Sequence, residues 1–153
     1  MLAEIPQTIT RQNFRRYGTL IGYPGKEKKG AARNLWRVVH RAPNSNGWRV
    51  AYLILRDKSI GRLECHPTSD ETFEPVRGRA LIFVAAGRQL ADIACFRLDT
   101  PVIVHKGIWH GLITETAEAE IKITENLNIS CRTWPWGFRI KSLKELNKKR
   151  MAA

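Results

Sequence analysis

The chain has 153 residues, of which 43% are hydrophobic, and a formal net charge of +12 from 26 Lys and Arg against 14 Asp and Glu. This length and composition are typical of one globular domain whose core is large enough to fold without a disulfide or a metal. No apolar run approaches the ~20 residues of a membrane-spanning helix, and residues 1–10 lack the apolar segment of a secretory signal.

The cysteines indicate the compartment. Cys65, Cys95 and Cys131 are odd in number and widely spaced, so they predict neither a disulfide framework nor a metal knuckle. We therefore expect a cytoplasmic protein with no membrane contact.

The basic residues concentrate near the two ends of the chain, and its middle is slightly acidic. A basic surface can attract nucleic acid. The aromatic residues of the basic part are not spaced as a stacking platform, however, so a solvated charged periphery is the simpler interpretation. Nucleic-acid binding is the weakest of the functional hypotheses.

The predicted elements begin with a short helix in which Thr10 caps the start and Gly18 the end. Residues 23–30 read as a loop, and short strands separated by turns follow. The apolar run at 80–85 is typical of a strand buried on both faces, whereas 119–124 alternates as a strand with one wet face does. The predicted strands are 48–56, 80–85, 93–98, 102–104 and 119–124.

The C-terminal segment changes character, because Ser142 to Glu145 is a capping-box sequence that predicts a short helix. Many short strands with helices only at the ends predict one all-β domain, a sandwich or barrel. Within it we assign residues 1–30 to an N-terminal arm, 31–131 to the barrel and 132–153 to a C-terminal tail.

The first group of candidate functional residues is Glu64, His66 and Glu71. Glu64 and His66 are two residues apart, so on one strand they project from the same face. Pro67 marks the end of that strand, after which the chain can fold Glu71 back towards that face. Gly78 then permits a tight turn before the strand at 80–85.

The second group is His105 and His110, between which Gly107 permits a turn that could present His110 to the same cavity. Two histidines and two carboxylates suit a divalent first-row metal. They equally suit metal-free acid and base catalysis, and each residue taken singly could be structural. His40 has no polar neighbours in sequence and is assigned no role.

The spacing Glu64-x-His66-x4-Glu71-x6-Gly78 resembles the first cupin motif, with Glu64 at the position of its first histidine. His105-x-Gly107-x-x-His110 resembles the second motif. The resemblance implies an all-β, cupin-type double-stranded β-barrel, or jelly roll, with short terminal helices.

A narrower resemblance is to the ureidoglycolate lyase family. Its members read Glu-Arg-His-Pro, Gln-Ala-Phe-x-Pro and His-Arg-Gly-x-Trp-His, which are similar to Glu64–Pro67, Glu71–Pro75 and His105–His110 here. Phe14-x-x-Tyr17-Gly18 fits the family's opening, and Glu71 stands where the family has a glutamine. Many unassigned small cupins also share the run Asp70-Glu71-x-Phe73.

This resemblance implies a carbon–nitrogen lyase of purine catabolism that releases urea and glyoxylate, and a homodimer. It implies catalytic roles for His66, Glu71, His105 and His110, and substrate contacts from Arg62, Lys106 and Trp109. Glu64, His66, Glu71 and His110 would hold one divalent ion, Zn, Mn, Ni or Fe. A non-catalytic cupin that binds a small acid or sugar acid is the alternative. The aromatic pair Trp134 and Trp136 is expected in the core, with the barrel mouth, the ligand cavity or a subunit contact as the other possibilities.

Overall fold

The computed structural model describes residues 5–21, 40 and 46–152. In this part of the chain the backbone forms eleven strands, two α-helices and a single 3-10 turn at Leu90–Asp92. None of the described helices is long and apolar enough to cross a membrane. The elements are β1 Gln7–Thr8, α1 Arg11–Phe14, β2 Gly18–Leu20, β3 Trp48–Leu55, β4 Ile60–Cys65, β5 Glu71–Arg77, β6 Ala80–Ala85, β7 Ala94–Arg97, β8 Val102–Val104, β9 Trp109–Thr114, β10 Ala119–Asn126, β11 Arg132–Ile140 and α2 Leu143–Met151.

The strands form two sheets. The six-stranded sheet has the order β1-β7-β6-β9-β4-β11, and the five-stranded sheet has the order β2-β8-β5-β10-β3. Neighbouring strands are antiparallel except β1 and β7, which are parallel. Successive strands such as β4 and β5, or β9 and β10, alternate between the sheets, which is the jelly-roll arrangement. The prediction of an all-β, cupin-type double-stranded barrel is confirmed.

An inner core fills the space between the two sheets. Ile82 and Val84 of β6 belong to the same buried cluster as Phe73 of β5 and Ile121 of β10. Near the N-terminus, Phe14 packs edge-on against Phe96 with ring centroids 5.4 Å apart. Burying these side chains is the main force that holds the sheets together.

An outer core lies on the other face of the six-stranded sheet. Leu81 and Phe83 of β6 cluster there with Leu146 of α2, and Trp134 and Trp136 pack against the same cluster. All six residues of β6 are therefore buried, as the continuous apolar run predicted. The expectation that the tryptophan pair packs in the core is also confirmed.

Helix α2 is anchored at its start by side-chain caps. The Ser142 hydroxyl accepts a hydrogen bond from the Glu145 backbone N–H at 3.3 Å. The Glu145 carboxylate accepts a hydrogen bond at 2.6 Å from the N–H of Lys141, the residue before the capping residue Ser142. These contacts satisfy N–H groups that a helix start leaves unpaired, so the predicted terminal helix forms.

Several boundaries differ from those expected. Helix α1 is capped by Thr10 as predicted but ends at Phe14, and Gly18 instead begins β2. A Cβ at Gly18 would collide with the backbone carbonyl of Ile103, so this close pairing of β2 with β8 requires glycine. The loop predicted at residues 23–30 lies outside the described residues.

The predicted arm and tail take part in the sheets. Residues 132–140, assigned to a tail from sequence, form strand β11, which pairs with β4. Strands β1 and β2, assigned to the N-terminal arm, pair with β7 and β8. Pro135 and Gly137 obscured β11 in the sequence, because both residues are unusual inside a strand. Strand β11 tolerates them because it is the last strand of its sheet and its register with β4 shifts after Pro135.

Replacing Leu146 with alanine tests the outer core. Leu146 is completely buried, so Leu146→Ala should lower the free energy of unfolding by about 2–5 kcal/mol through lost burial and a residual cavity. Urea denaturation measures the change. The exposed neighbour Lys148 is the control, and Lys148→Ala should stay within about 0.5 kcal/mol of wild type. Equal effects of the two changes would contradict the outer core.

Candidate metal centre

Three strand ends bring the site together. His66 directly follows β4, Glu71 begins β5, and His110 is the second residue of β9. Strands β4 and β9 belong to the six-stranded sheet and β5 to the five-stranded sheet, so the histidines face the carboxylate across the barrel interior. All three side chains are buried, with 6–7% of each residue exposed.

The ligand atoms of His66, Glu71 and His110 lie close together. Glu71 Oε2 is 2.9 Å from Nε2 of His110 and 3.2 Å from Nε2 of His66. One donor atom from each residue lies within 4.8 Å of the other two. We call these three residues the triad.

Backbone carbonyls fix the tautomers of the two rings. Nδ1 of His66 lies 3.1 Å from the Ser130 carbonyl oxygen, and Nδ1 of His110 lies 3.0 Å from that of Ile108. A carbonyl oxygen can only accept, so each Nδ1 must carry a proton and donate it. In the neutral rings, both Nε2 lone pairs therefore point into the triad.

The triad consequently gathers three electron-pair donors in one buried space. Glu71 Oε2 is buried, and neither ring nitrogen gives it a hydrogen bond of ordinary geometry, although both are close. A buried carboxylate oxygen without a partner is costly. A proton or a metal ion between the oxygen and the nitrogens would relieve it. Histidines whose second nitrogen donates to a backbone carbonyl are typical metal ligands, and two histidines with one carboxylate suit a divalent first-row metal.

The protonation equilibria reflect this crowding. Burial would raise the pKa of Glu71, but the contacts with His110 and His66 outweigh it and lower the pKa to about 2. The contact with Glu71 raises the pKa of His66 against the opposing effect of burial, and the Ser130 carbonyl adds to the rise. Without a metal, His66 therefore holds its proton more firmly than an isolated imidazole does.

Hydrogen bonds between the loops hold the two halves of the site together. Gly107, at φ +84°, donates its N–H to the His66 carbonyl at 2.9 Å. The Lys106 N–H donates to Asp70 Oδ1 at 2.8 Å. The turn predicted at Gly107 is therefore present, and it ties the segment before His110 to the loop that carries His66.

His105 lies outside the triad. Its Nε2 is 2.9 Å from the Thr19 hydroxyl, and its ring stacks on His40 with centroids 5.8 Å apart. Burial lowers the pKa of His105, an effect that the charge of Asp70 opposes. The prediction of a catalytic role for His105 stays a prediction, and this position gives it no contact with the triad.

The sequence predicted no polar partner for His40, and this prediction is wrong. Nε2 of His40 lies 2.7 Å from Asp70 Oδ2. His40 and Asp70 are 30 positions apart, so only the tertiary fold reveals this contact. The other carboxylate oxygen of Asp70 accepts the hydrogen bond from the Lys106 N–H.

Glu64 stands beside the triad without joining it. It lies directly opposite His110 in the register of β4 and β9. Its carboxylate is 3.6 Å from the Arg62 guanidinium and is 43% exposed, far more than that of Glu71. The prediction that Glu64 is a fourth metal ligand stays a prediction.

A cavity of about 770 Å³ opens onto the triad. Glu71 and His110 line it, as do Glu64 and Arg62. The predicted substrate contact of Arg62 stays a prediction. The cavity wall also includes apolar side chains, namely Leu53, Leu55, Phe73, Leu112 and Ile123.

Lys106 and Trp109 are not among the residues that line this cavity. The Trp109 ring packs in the outer core, 6.0 Å from the Trp134 ring, with the Arg88 guanidinium 5.5 Å above it. Because β9 is pleated, the side chain of Trp109 lies on the face opposite to that of His110. The predicted substrate contacts of Lys106 and Trp109 stay predictions.

Two functional features were missed in the sequence. Glu125 is buried opposite Glu71 in the register of β10 and β5, pairs with Arg49 at 2.7 Å, and contributes to the raised pKa of His66. Arg139 lines the cavity from β11. Alternation in β10 could have indicated an inward-facing Glu125, since Ile121 and Ile123 precede it at spacings of two. Arg139 carried no such signal, because β11 was not recognised.

No protein-family model and no curated protein matches the chain. Several solved structures resemble it. The S161A mutant of Bacillus subtilis oxalate decarboxylase is 14% identical, with a TM-score of 0.45 over 58% of this chain and 24% of that one. Procruciferin, an 11S globulin of Brassica napus, is 10% identical, with a TM-score of 0.47 over 56% and 23%. Pumpkin pro-11S globulin is 11% identical, with a TM-score of 0.45 over 56% and 23%.

The chain thus spans about a quarter of the length of these proteins. Because these TM-scores are below 0.5, the function is inferred from the geometry of the triad and the cavity and not from these structures.

The pH dependence of stability tests the triad. In metal-free protein, the contribution of Glu71 is present above its ordinary pKa of 4.5 and is lost as pH falls towards 2. That of His66 is fully present below 6.5 and is lost as pH rises through its raised pKa. The difference in free energy of unfolding between wild type and Glu71→Gln should therefore be largest between pH 4.5 and 6.5. Chemical denaturation across this range measures it, and a difference that does not vary with pH would contradict the described contacts.

Proposed function

We propose that the protein is a metal-dependent cupin enzyme that cleaves a carbon–nitrogen bond of a small hydroxy acid. The observation that supports this most strongly is the convergence of three electron-pair donors in a buried triad that opens onto a cavity. His66 and His110 would hold the ion through Nε2, and Glu71 through Oε2. A buried set of this kind, with its rings oriented by carbonyls, suits a divalent ion better than three separate structural side chains.

Ureidoglycolate is the substrate that the sequence resemblance suggests. Its cleavage to urea and glyoxylate removes the hydroxyl proton, breaks the C–N bond with its electron pair leaving on nitrogen, and returns a proton to that nitrogen. A bound divalent ion would supply Lewis-acid polarisation of the substrate oxygens. The remaining task for the protein is to move one proton from oxygen to nitrogen.

Glu64 is the residue best placed for that proton transfer. It lines the cavity opposite His110 and its carboxylate is 43% exposed, whereas Glu71 is buried beside the two histidines. As a carboxylate it accepts the hydroxyl proton, and as the acid it delivers the same proton to the departing nitrogen. Arg62, 3.6 Å away, pairs with Glu64 and is a cation for the substrate carboxylate.

The homodimer and the cytoplasmic location remain predictions from the sequence. The outer face of β3 supports a contact with another chain, because its apolar side chains are exposed at a spacing of two. These side chains are Trp48, Val50, Tyr52 and Ile54.

Metal affinity and turnover test the proposal separately. Calorimetric titration of chelator-treated protein with Mn²⁺ and Zn²⁺ should give one site per chain. His110→Ala should weaken it by at least about 100-fold, since losing an outer partner of a ligand alone costs about 10–100-fold. His105→Ala is the matched control and should leave metal affinity unchanged, because His105 lies outside the triad. Wild-type protein that binds no divalent ion would refute the metal-dependent function.

Glu64→Gln distinguishes a ligand from a proton carrier. If Glu64 carries the proton, metal affinity should be unchanged while kcat for urea release falls by about 10²–10⁴-fold. If it is a fourth ligand, metal affinity falls as well. Metal and acid binding without turnover of ureidoglycolate or related hydroxy acids would instead identify a non-catalytic acid-binding protein.

A further inference from the structure

Arg139 is an exposed residue at the rim of the cavity, and Ser59 orients its guanidinium. Its Nε donates to the Ser59 hydroxyl at 2.7 Å, and its Nη2 donates to the Ser59 carbonyl at 2.5 Å. Its side chain passes beside Gly61, where an added Cβ would lie 3.4 Å from Cγ and 3.7 Å from Nη1 of Arg139. The guanidinium is therefore oriented by neutral groups before any ligand binds.

The charge of Arg139 is not balanced by an ion pair within the described residues. Arg62, the other arginine of the cavity, already has Glu64 as a partner. Asp57 also lines the cavity but lies outside ion-pair distance of Arg139. Since Ser59 uses only part of the guanidinium, Arg139 can still donate to an anion from the cavity.

The distance from Arg139 to the triad sets the length of such a ligand. Arg139 lies beside Gly61, and His110 lies opposite Glu64, three residues further along β4. Three residues of strand span about 10 Å. That figure separates the backbone positions of Gly61 and Glu64, so an extended acid of about that length is the ligand that would contact both ends, and oxalate is too short.

The volume and lining of the cavity indicate the middle of the ligand. A cavity of about 770 Å³ lies in the range that holds drug-sized molecules, about 300–1,000 Å³. The cavity wall carries the apolar side chains of Leu53, Leu55 and Phe73. Burying an apolar segment against this wall is favourable.

We propose that Arg139 is an anion subsite at the cavity rim and determines specificity for an elongated, partly apolar acid. The reacting end lies at the triad, the apolar segment lies along the wall, and a second carboxylate or phosphate binds Arg139. The inference rests on the proposed function only for the position of the reacting end. Under it, ureidoglycolate occupies the triad end of the cavity, and an acid that also reaches Arg139 binds the same site more tightly.

A series of simple acids tests the subsite by calorimetric competition. The probes are oxalate, which is too short to reach Arg139, suberate, which is long with two carboxylates, and octanoate, which has the same length with one. Wild-type protein should bind suberate at least about ten-fold more tightly than octanoate, because suberate adds a charge-assisted hydrogen bond at the rim.

Substitution of Arg139 should remove that preference. In Arg139→Gln, suberate and octanoate should bind with equal affinity, and oxalate binding should be unchanged. Arg139→Lys keeps the charge and should recover part of the preference, which a loss of folding would not allow. Arg97→Gln, an exposed arginine outside this cavity, is the matched control and should behave as wild type.

Each outcome bears on one claim. The affinity of each acid is measured with and without Mn²⁺, because the contact between the acid and Arg139 does not involve the metal ion. Failure to bind Mn²⁺ refutes the proposed function alone. A wild type that binds neither long acid, or that shows no preference for suberate, overturns the subsite. So does a suberate preference that survives in Arg139→Gln.

Discussion

Two backbone carbonyls, those of Ser130 and Ile108, determine the chemistry of this protein. Each takes the Nδ1 proton of one histidine, so the Nε2 lone pairs of His66 and His110 turn towards Glu71 Oε2. Three acceptor atoms then lie close together in a buried space where water does not screen their repulsion. The arrangement persists because the surrounding barrel holds it, and a cation at its centre turns repulsion into binding.

The barrel can hold such a site because its six-stranded sheet is covered on both faces. Packing of α2 and the β11 aromatics on the outer face leaves the inner face free to be polar at one end and hollow beside it. The ligands come from strand ends of both sheets, so the triad can form only when the sheets close on each other. Stability from the outer core offsets the cost of gathering charge in the interior.

Local sequence signals predicted much of this fold. The apolar run at β6, the Ser142 cap and the turns at Gly78 and Gly107 are all governed by nearby residues, and each was found where expected. The spacing of His66, Glu71 and His110 matched a known motif, so three members of the triad could be named. Strand β11 could not be predicted in this way, because its proline and glycine disfavour a strand. Only its pairing with β4 outweighs that preference.

The long-range contacts of the site were beyond sequence reasoning for a physical reason. The pairing of His40 with Asp70, of Arg49 with Glu125 and of Arg139 with Ser59 joins residues 30 to 80 positions apart. Neither spacing nor alternation encodes such pairs, since they depend on how the two sheets are placed. The contact of the Glu64 carboxylate with Arg62 was likewise not evident from the motif, which suggested only a ligand at this position.

The most direct test of the triad is a crystal structure of protein loaded with Mn²⁺ or Co²⁺, measured at the absorption edge of the metal. We expect one anomalous peak per chain, coordinated by Nε2 of His66, Nε2 of His110 and a carboxylate oxygen of Glu71, with both Nδ1 atoms still hydrogen-bonded to their carbonyls. Saturating metal with no peak among these three residues, or coordination through Nδ1, would contradict this expectation.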